Sequence, residues 1–217
     1  MSGIKAVIFD MDGVIFDSES IWQKKTVEAN EKFGIDVTEE VRIGICGKNE
    51  NVIREELKKL YPDFDTDIYR EYVMKEVLSA LNSGNFEVKK GFDTLISYLK
   101  EKKLKIALAT SSDSVRGKNM FKNKGYDIDK IFDATVFGEE TGKRSKPDPF
   151  IFQLAAKKLG VDASECIVIE DSLNGIKAAS AGGFKPVMVI DIIKPDDFCK
   201  ENCMLISDNL EELKNKI

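Results

Sequence analysis

The chain has 217 residues, 42% of them apolar and 33% charged, with a net charge of −5 and no histidine. That composition is globular rather than disordered, its apolar runs are too short to cross a bilayer, and its acidic balance argues against a nucleic-acid partner. Without histidine there can be no Ser-His-Asp triad, Cys-His dyad or His-ligated metal, so acid–base work falls to carboxylates, Lys, Tyr, Cys or metal-bound water.

The N-terminal Met1-Ser2-Gly3-Ile4-Lys5 runs straight into a strand-like segment and has none of the charged, apolar and cleavage regions of a signal peptide. A cytoplasmic protein is therefore expected. Cys46, Cys166, Cys199 and Cys203 show no zinc-ligand spacing. Cys199 and Cys203 can share a helix face, and in a reducing compartment they read as two thiols.

The first apolar run is Ala6-Val7-Ile8-Phe9. After it, from about residue 17 to 88, the pattern is helical, over 21–33, 50–60 and 69–81. Gly34, Gly44, Gly47, Pro62 and Ser83-Gly84-Asn85 read as separators. Beyond this stretch, short apolar runs alternate with helical periods. The runs are Ile106-Ala107-Leu108-Ala109, Ala134-Thr135-Val136-Phe137, Cys166-Ile167-Val168-Ile169 and Val187-Met188-Val189-Ile190. The helices are 92–103, 150–159 and 172–181, the last stopped by Gly182-Gly183. Runs apolar on both faces suit strands covered on both sides. The expected fold is α/β: a doubly wound parallel sheet from residues 1–16 and 89–217, with a helical cap, residues 17–88, inserted after the first strand.

Ligands of such sheets bind beyond the carboxyl ends of the strands, and four polar clusters fall there. The first strand ends in Phe9-Asp10-Met11-Asp12-Gly13-Val14, where carboxylates at i and i+2 repel unless a cation or proton lies between them. Alone, the pair reads equally well as a purely structural capping acid followed by a turn acid. Thr110-Ser111-Ser112-Asp113 offers hydroxyls and N–H groups to a phosphate, or a plain helix cap. In Lys146-Pro147-Asp148-Pro149, Asp148 can cap the next helix and Pro149 can take its first turn. Lys146 stands where a cation would neutralise a phosphate, or is a solvated lysine. Glu170-Asp171 follows an all-apolar strand, a costly place for two acids unless they are solvated or bound to a cation. Each cluster is weak alone. Chance poorly explains four at one sheet edge.

Taken together, Asp10-Met11-Asp12-Gly13-Val14, Thr110-Ser111, Lys146-Pro147-Asp148-Pro149 and Glu170-Asp171-Ser172-Leu173-Asn174-Gly175 resemble the haloacid dehalogenase superfamily over essentially the whole chain. The likeness is to the subgroup with a helical cap after the first strand, which includes β-phosphoglucomutase and many sugar-phosphate phosphatases. The resemblance implies a Rossmann-like core, Asp10 as nucleophile and Asp12 as general acid/base. It implies phosphate binding by Thr110, Ser111 and Lys146. It also implies Mg2+ held by Asp10, the Asp12 backbone carbonyl and Asp171, with Glu170 beside it through water. The expected activity is magnesium-dependent hydrolysis of a small phosphorylated metabolite, of sugar-phosphate type, through an aspartyl-phosphate. The expected protein is a monomer without nucleic-acid or membrane partners.

An Asp near its ordinary pKa of about 3.9 is ionised at neutral pH, so the nucleophile would need no base. A carboxyl at Asp12 suits phosphate esters, whose alkoxide leaving group needs a proton. The alternative activity is a β-phosphoglucomutase-type sugar-phosphate mutase. Against it, Trp22 falls where that family has a histidine, and Gly47-Lys48-Asn49-Glu50 replaces a stretch with a phosphate-gripping arginine. Glu50 is expected to oppose a second phosphate, with Lys48 able to offset it and Lys48 or Arg54 as the cations that could hold that phosphate.

Overall fold

The computed structural model describes residues 3–46, 48, 50–142, 144–214 and 216–217. Met1 and Ser2 lie outside the described residues, as do Gly47, expected above as a helix separator, and Asn49 of the Gly47–Glu50 stretch. The chain divides into two compact units: one made of the chain up to Asp17 together with Glu87–Ile217, the other Ser18–Phe86.

In chain order, strand β1 (Ala6–Phe9) is followed by four helices of the second unit, α1 (Ser18–Phe33), α2 (Glu39–Ile45), α3 (Glu50–Leu60) and α4 (Thr66–Asn82). The first unit then resumes with α5 (Phe92–Glu101), β2 (Lys105–Ala109), α6 (Ser114–Asn123), α7 (Ile128–Ile131) and β3 (Ala134–Val136). It ends with α8 (Phe150–Leu159), β4 (Cys166–Glu170), α9 (Leu173–Ala181), β5 (Lys185–Val189), α10 (Asp197–Asn202), β6 (Leu205–Ser207) and α11 (Leu210–Leu213).

All six strands are parallel, in the order β3-β2-β1-β4-β5-β6. Every residue of β1 is buried because both faces are covered. Ala6 and Ile8 join Ala107, Ala109, Val168, Phe152 and Ala155 in one cluster on the α8 side. Phe9 belongs to an aromatic group, meeting Phe92 and Phe132 edge-to-face at ring separations of 6.3 and 6.5 Å. Burying one such ring contributes about 2–3 kcal/mol. The α/β doubly wound parallel sheet expected from the apolar runs is the fold observed.

The finer expectations fare unevenly. Gly44, read as a separator, lies inside α2, where Thr38 caps the helix by accepting from Val41 N. Strand β6 was not foreseen: it has three residues, at the sheet edge, and its Leu205 and Ile206 are only half-buried. Pro149 takes the N-cap position of α8 rather than its first turn, while the Asp148 carboxylate accepts from Phe150 N at 2.9 Å. Cys203 N donates to Cys199 O, and burial pushes the Cys199 thiol up to about 12, consistent with unreactive thiols.

Within the helical unit, α1 packs on α4 around Tyr69, whose hydroxyl donates to Asn30 Oδ1 at 2.7 Å. A chain of ion pairs runs through α3 and α4. Glu50 accepts from Arg70 at 2.6 Å and pairs with Arg54 at 3.1 Å, and Arg54 also reaches Asp67 at 3.1 Å. Arg70 is 3% exposed and stacks 5.2 Å from the Trp22 ring. The expectation that Glu50 presents an opposing negative charge is therefore corrected, because two arginines of its own unit neutralise it. Lys48 pairs with Glu56 at 2.8 Å and not with Glu50.

Candidate active site

The register of the sheet builds the site. Phe9 is level with Leu108 of β2 and Ile169 of β4, so one residue further on Asp10 stands beside Ala109 and Glu170. Asp10 N donates to Ile169 O at 3.0 Å, which ties the end of β1 to β4. Thr110 follows β2, buried at 1% exposure, with its N–H on Val136 O and its hydroxyl accepting from Ser112 N.

Lys146, on the approach to α8, bridges Asp10 Oδ1 and Glu170 Oε1 at 2.5 Å each. All three groups are buried or nearly so. Burial is the largest cause that raises the Asp10 carboxyl pKa, which stands at about 7 once its neighbours are counted. Lys146 pulls it back, while Glu170 and Asp12 add to the rise. Burial also works against the charge on Lys146, but Asp10 and Glu170 outweigh it and hold its pKa above the ordinary lysine range. The expectation of an Asp10 near its ordinary pKa is thus corrected: desolvation raises it, and the neighbouring Lys146 offsets only part of that rise.

Glu170 is saturated with donors. Oε2 accepts from Asp171 N, Ser172 N and Ser172 Oγ at 2.8–2.9 Å, and Oε1 takes Lys146. Gly175 makes this possible, since a Cβ there would overlap the Glu170 carboxyl. Ser172 caps α9 through Gly175 N.

Asp171 is buried, and its carboxylate fills the space where a Cβ at Gly13 would stand. Gly13 has φ +73°, a left-handed conformation suited to glycine. Gly13→Ala therefore combines backbone strain with displacement of Asp171. We expect a loss of about 1–3 kcal/mol, read as a lower midpoint in a thermal melt; an unchanged midpoint would refute the close approach of Asp171.

These donors fit a hard divalent cation. The β1 turn and Asp171 lie in contact, and the set is all oxygen. Among the described residues no three acidic, histidine or cysteine side chains group closely enough to hold a metal by themselves. Magnesium keeps several waters and needs only one or two carboxylates with a carbonyl, so that smaller set suffices.

Asp12 lies apart from the Lys146 bridge. Its Oδ2 accepts from Ser112 Oγ at 2.7 Å and its Oδ1 from Arg116 Nη2 at 2.6 Å. Ser111 is exposed, and the buried hydroxyl of the turn is Ser112. Ser112 belongs to the polar cluster read from the sequence after the second strand, with no role toward Asp12 assigned to it, and Arg116 is not singled out there.

Residues 4–183 match the family described as haloacid dehalogenase-like hydrolase. The chain is 32% identical over 190 residues to the phosphorylated carbohydrates phosphatase of Thermotoga maritima, covering 85% of this chain and 84% of that one. It is 28% identical over 199 residues to hexitol phosphatase B of Escherichia coli K12, covering 86% and 83%. Among solved structures it is similar to β-phosphoglucomutase of Clostridium difficile, with a TM-score of 0.75 at 26% identity over 98% of this chain and 94% of that one. The chain belongs to the haloacid dehalogenase-like hydrolase family. Within it, the chain is a phosphoric monoester hydrolase.

Proposed function

We propose that this protein is a magnesium-dependent phosphatase of small phosphorylated metabolites of sugar-phosphate type, working through an aspartyl-phosphate on Asp10. The observation that carries this reading is the Lys146 bridge between Asp10 and Glu170, which fixes the Asp10 carboxyl beside a cation at the carboxyl edge of the sheet, where the buried Thr110 also lies. The phosphatase and hexitol phosphatase relatives point to phosphorylated carbohydrates as substrates.

In this reading Asp10, the Asp12 carbonyl and Asp171 would hold Mg2+, with Glu170 behind them. When bound, the ion supplies positive charge against the phosphoryl oxygens. Thr110, Ser111 and Lys146 hold the phosphoryl group. The Asp10 carboxylate attacks phosphorus and the ester P–O bond breaks, while Asp12 gives its proton to the leaving alkoxide. Water then attacks the aspartyl-phosphate, Asp12 takes the water's proton, and the Asp10–phosphorus bond breaks to release inorganic phosphate.

The inserted helical unit, Ser18–Phe86, serves as the cap that selects substrate. Its entry and exit run side by side as paired linkers: Asp17 N donates to Glu87 O and Lys89 N to Ile15 O. Residues near 15–20 and 83–90 form the hinges.

The likeness to β-phosphoglucomutase favours a mutase as the second reading. A mutase must grip the non-reacting phosphate as well. The helical unit's Lys48, Arg54 and Arg70 are already paired with its own acids, which supports hydrolysis. The test supplies β-glucose 1-phosphate and other sugar monophosphates, with magnesium and with chelator, and follows free phosphate and glucose 6-phosphate together. Phosphate release that needs magnesium and no bisphosphate is expected. Bisphosphate-stimulated glucose 6-phosphate with little free phosphate would establish the mutase instead.

A further inference from the structure

The Asp12 carboxylate is held at both oxygens by one turn. Ser112 and Arg116 reach it from the β2–α6 connection, and neither touches the Lys146–Asp10–Glu170 bridge. That turn is itself braced. Ser112 N donates to Thr110 Oγ1, Ser112 O accepts from Gly138 N, and Asp113 caps α6 by accepting from Arg116 N at 2.9 Å. Gly138 packs so tightly that a Cβ there would overlap the Ser111 carbonyl. Arg116 Nε is buried and has no hydrogen-bond partner among the described residues. A guanidinium so placed is poorly explained as a general stabilising knot, since burying an unsatisfied donor costs stability. Its strong contact is the one charge-assisted bond to Asp12.

We propose that Arg116 is a positioning residue for proton transfer: with Ser112 it holds the Asp12 carboxyl in one orientation, from which the group, once protonated, gives its proton to the leaving oxygen. This rests on the reading of Asp12 as the general acid/base. Arg116 itself touches neither nucleophile nor phosphate in this account. Its effect must therefore follow the need for a proton. An alkyl phosphate leaves as an alkoxide that requires protonation, whereas a para-nitrophenolate leaves without it. Positioning of a proton donor matters for the first and hardly for the second.

The experiment measures kcat/KM for wild type, Asp12→Asn, Arg116→Met and Arg116→Lys on para-nitrophenyl phosphate and on the best-turned-over sugar phosphate, together with thermal midpoints. The methionine keeps the apolar stem, and the lysine keeps the charge should the methionine variant fold poorly. Asp12→Asn is expected to lose about 10²–10⁴-fold on the sugar phosphate and far less on the aryl ester. Arg116→Met should show the same selectivity on a smaller scale, about tenfold against less than about twofold, with an unchanged midpoint, and Arg116→Lys should fall between it and wild type. If Asp12→Asn is selective but Arg116→Met loses equally on both substrates, or on neither, the positioning role is overturned and the reading of Asp12 stands. If Asp12→Asn loses equally on both, the acid/base reading falls and takes the role of Arg116 with it.

Discussion

Replacing Lys146 with methionine should cost stability as well as activity. The lysine is the cation shared by two buried carboxylates, Asp10 and Glu170. Removing one partner of a buried ion pair destabilises by about 3–5 kcal/mol. The lower end applies here, because Glu170 keeps its three donors from Asp171 and Ser172. For a chain of this size about 3 kcal/mol lowers the melting midpoint by roughly 6–12 °C.

The loss should also depend on pH, with a defined sign. Lys146 lowers the Asp10 pKa, so its removal raises further a value already pushed up to about 7. The folded variant then binds a proton more tightly than the unfolded chain, whose Asp titrates near 3.8. Stability is fully present below the unfolded value and is lost as pH rises through the folded one. The variant should melt higher at pH 6 than at pH 8, by a wider margin than wild type. A Lys146→Met protein with an unchanged midpoint and a flat pH dependence would show that the bridge is not formed in solution.

Asp10→Asn should abolish turnover while leaving the fold intact. The asparagine is nearly isosteric and cannot form an acid-labile phosphoenzyme. Loss of kcat on the order of 10⁴-fold or more is the scale expected when one member of a nucleophilic constellation is removed. The metal-free variant should melt at or above wild type at pH 8. At pH 8 the wild-type carboxyl is mostly charged, and burial makes that charge cost more in the folded protein than in the unfolded chain, whereas Asn carries no charge to desolvate. Lys146 retains Glu170 as its partner. Phosphoenzyme trapping by acid quench and a thermal melt check the two halves separately. Normal turnover by pure Asp10→Asn would remove the nucleophile assignment, and a large fall in midpoint would attribute lost activity to unfolding.

The sequence by itself determined strands β1 to β5 of the sheet. Strands covered on both faces need continuous apolar runs, and Ala6-Val7-Ile8-Phe9 and Cys166-Ile167-Val168-Ile169, too short for helices and rich in β-branched residues, are strands in the structure. The polar residues just beyond those runs were legible too, because a parallel sheet delivers the ends of its strands to one edge. Strand β6 and helix α2 were not legible: the first is short and half-exposed, and the second contains a glycine that local propensity reads as a break.

Only the tertiary structure decided the charges. Whether Glu50 opposes an anion depends on Arg54 and Arg70, the latter twenty residues away on another helix. The Asp10 pKa is set by burial and by Lys146, 136 residues away in the chain. Arg116 meets Asp12 across 104 residues. Apolar periodicity is a local property that the chain writes along itself. The electrostatics of a carboxylate depend on the solvent it has lost and on the partners that folding has brought to it.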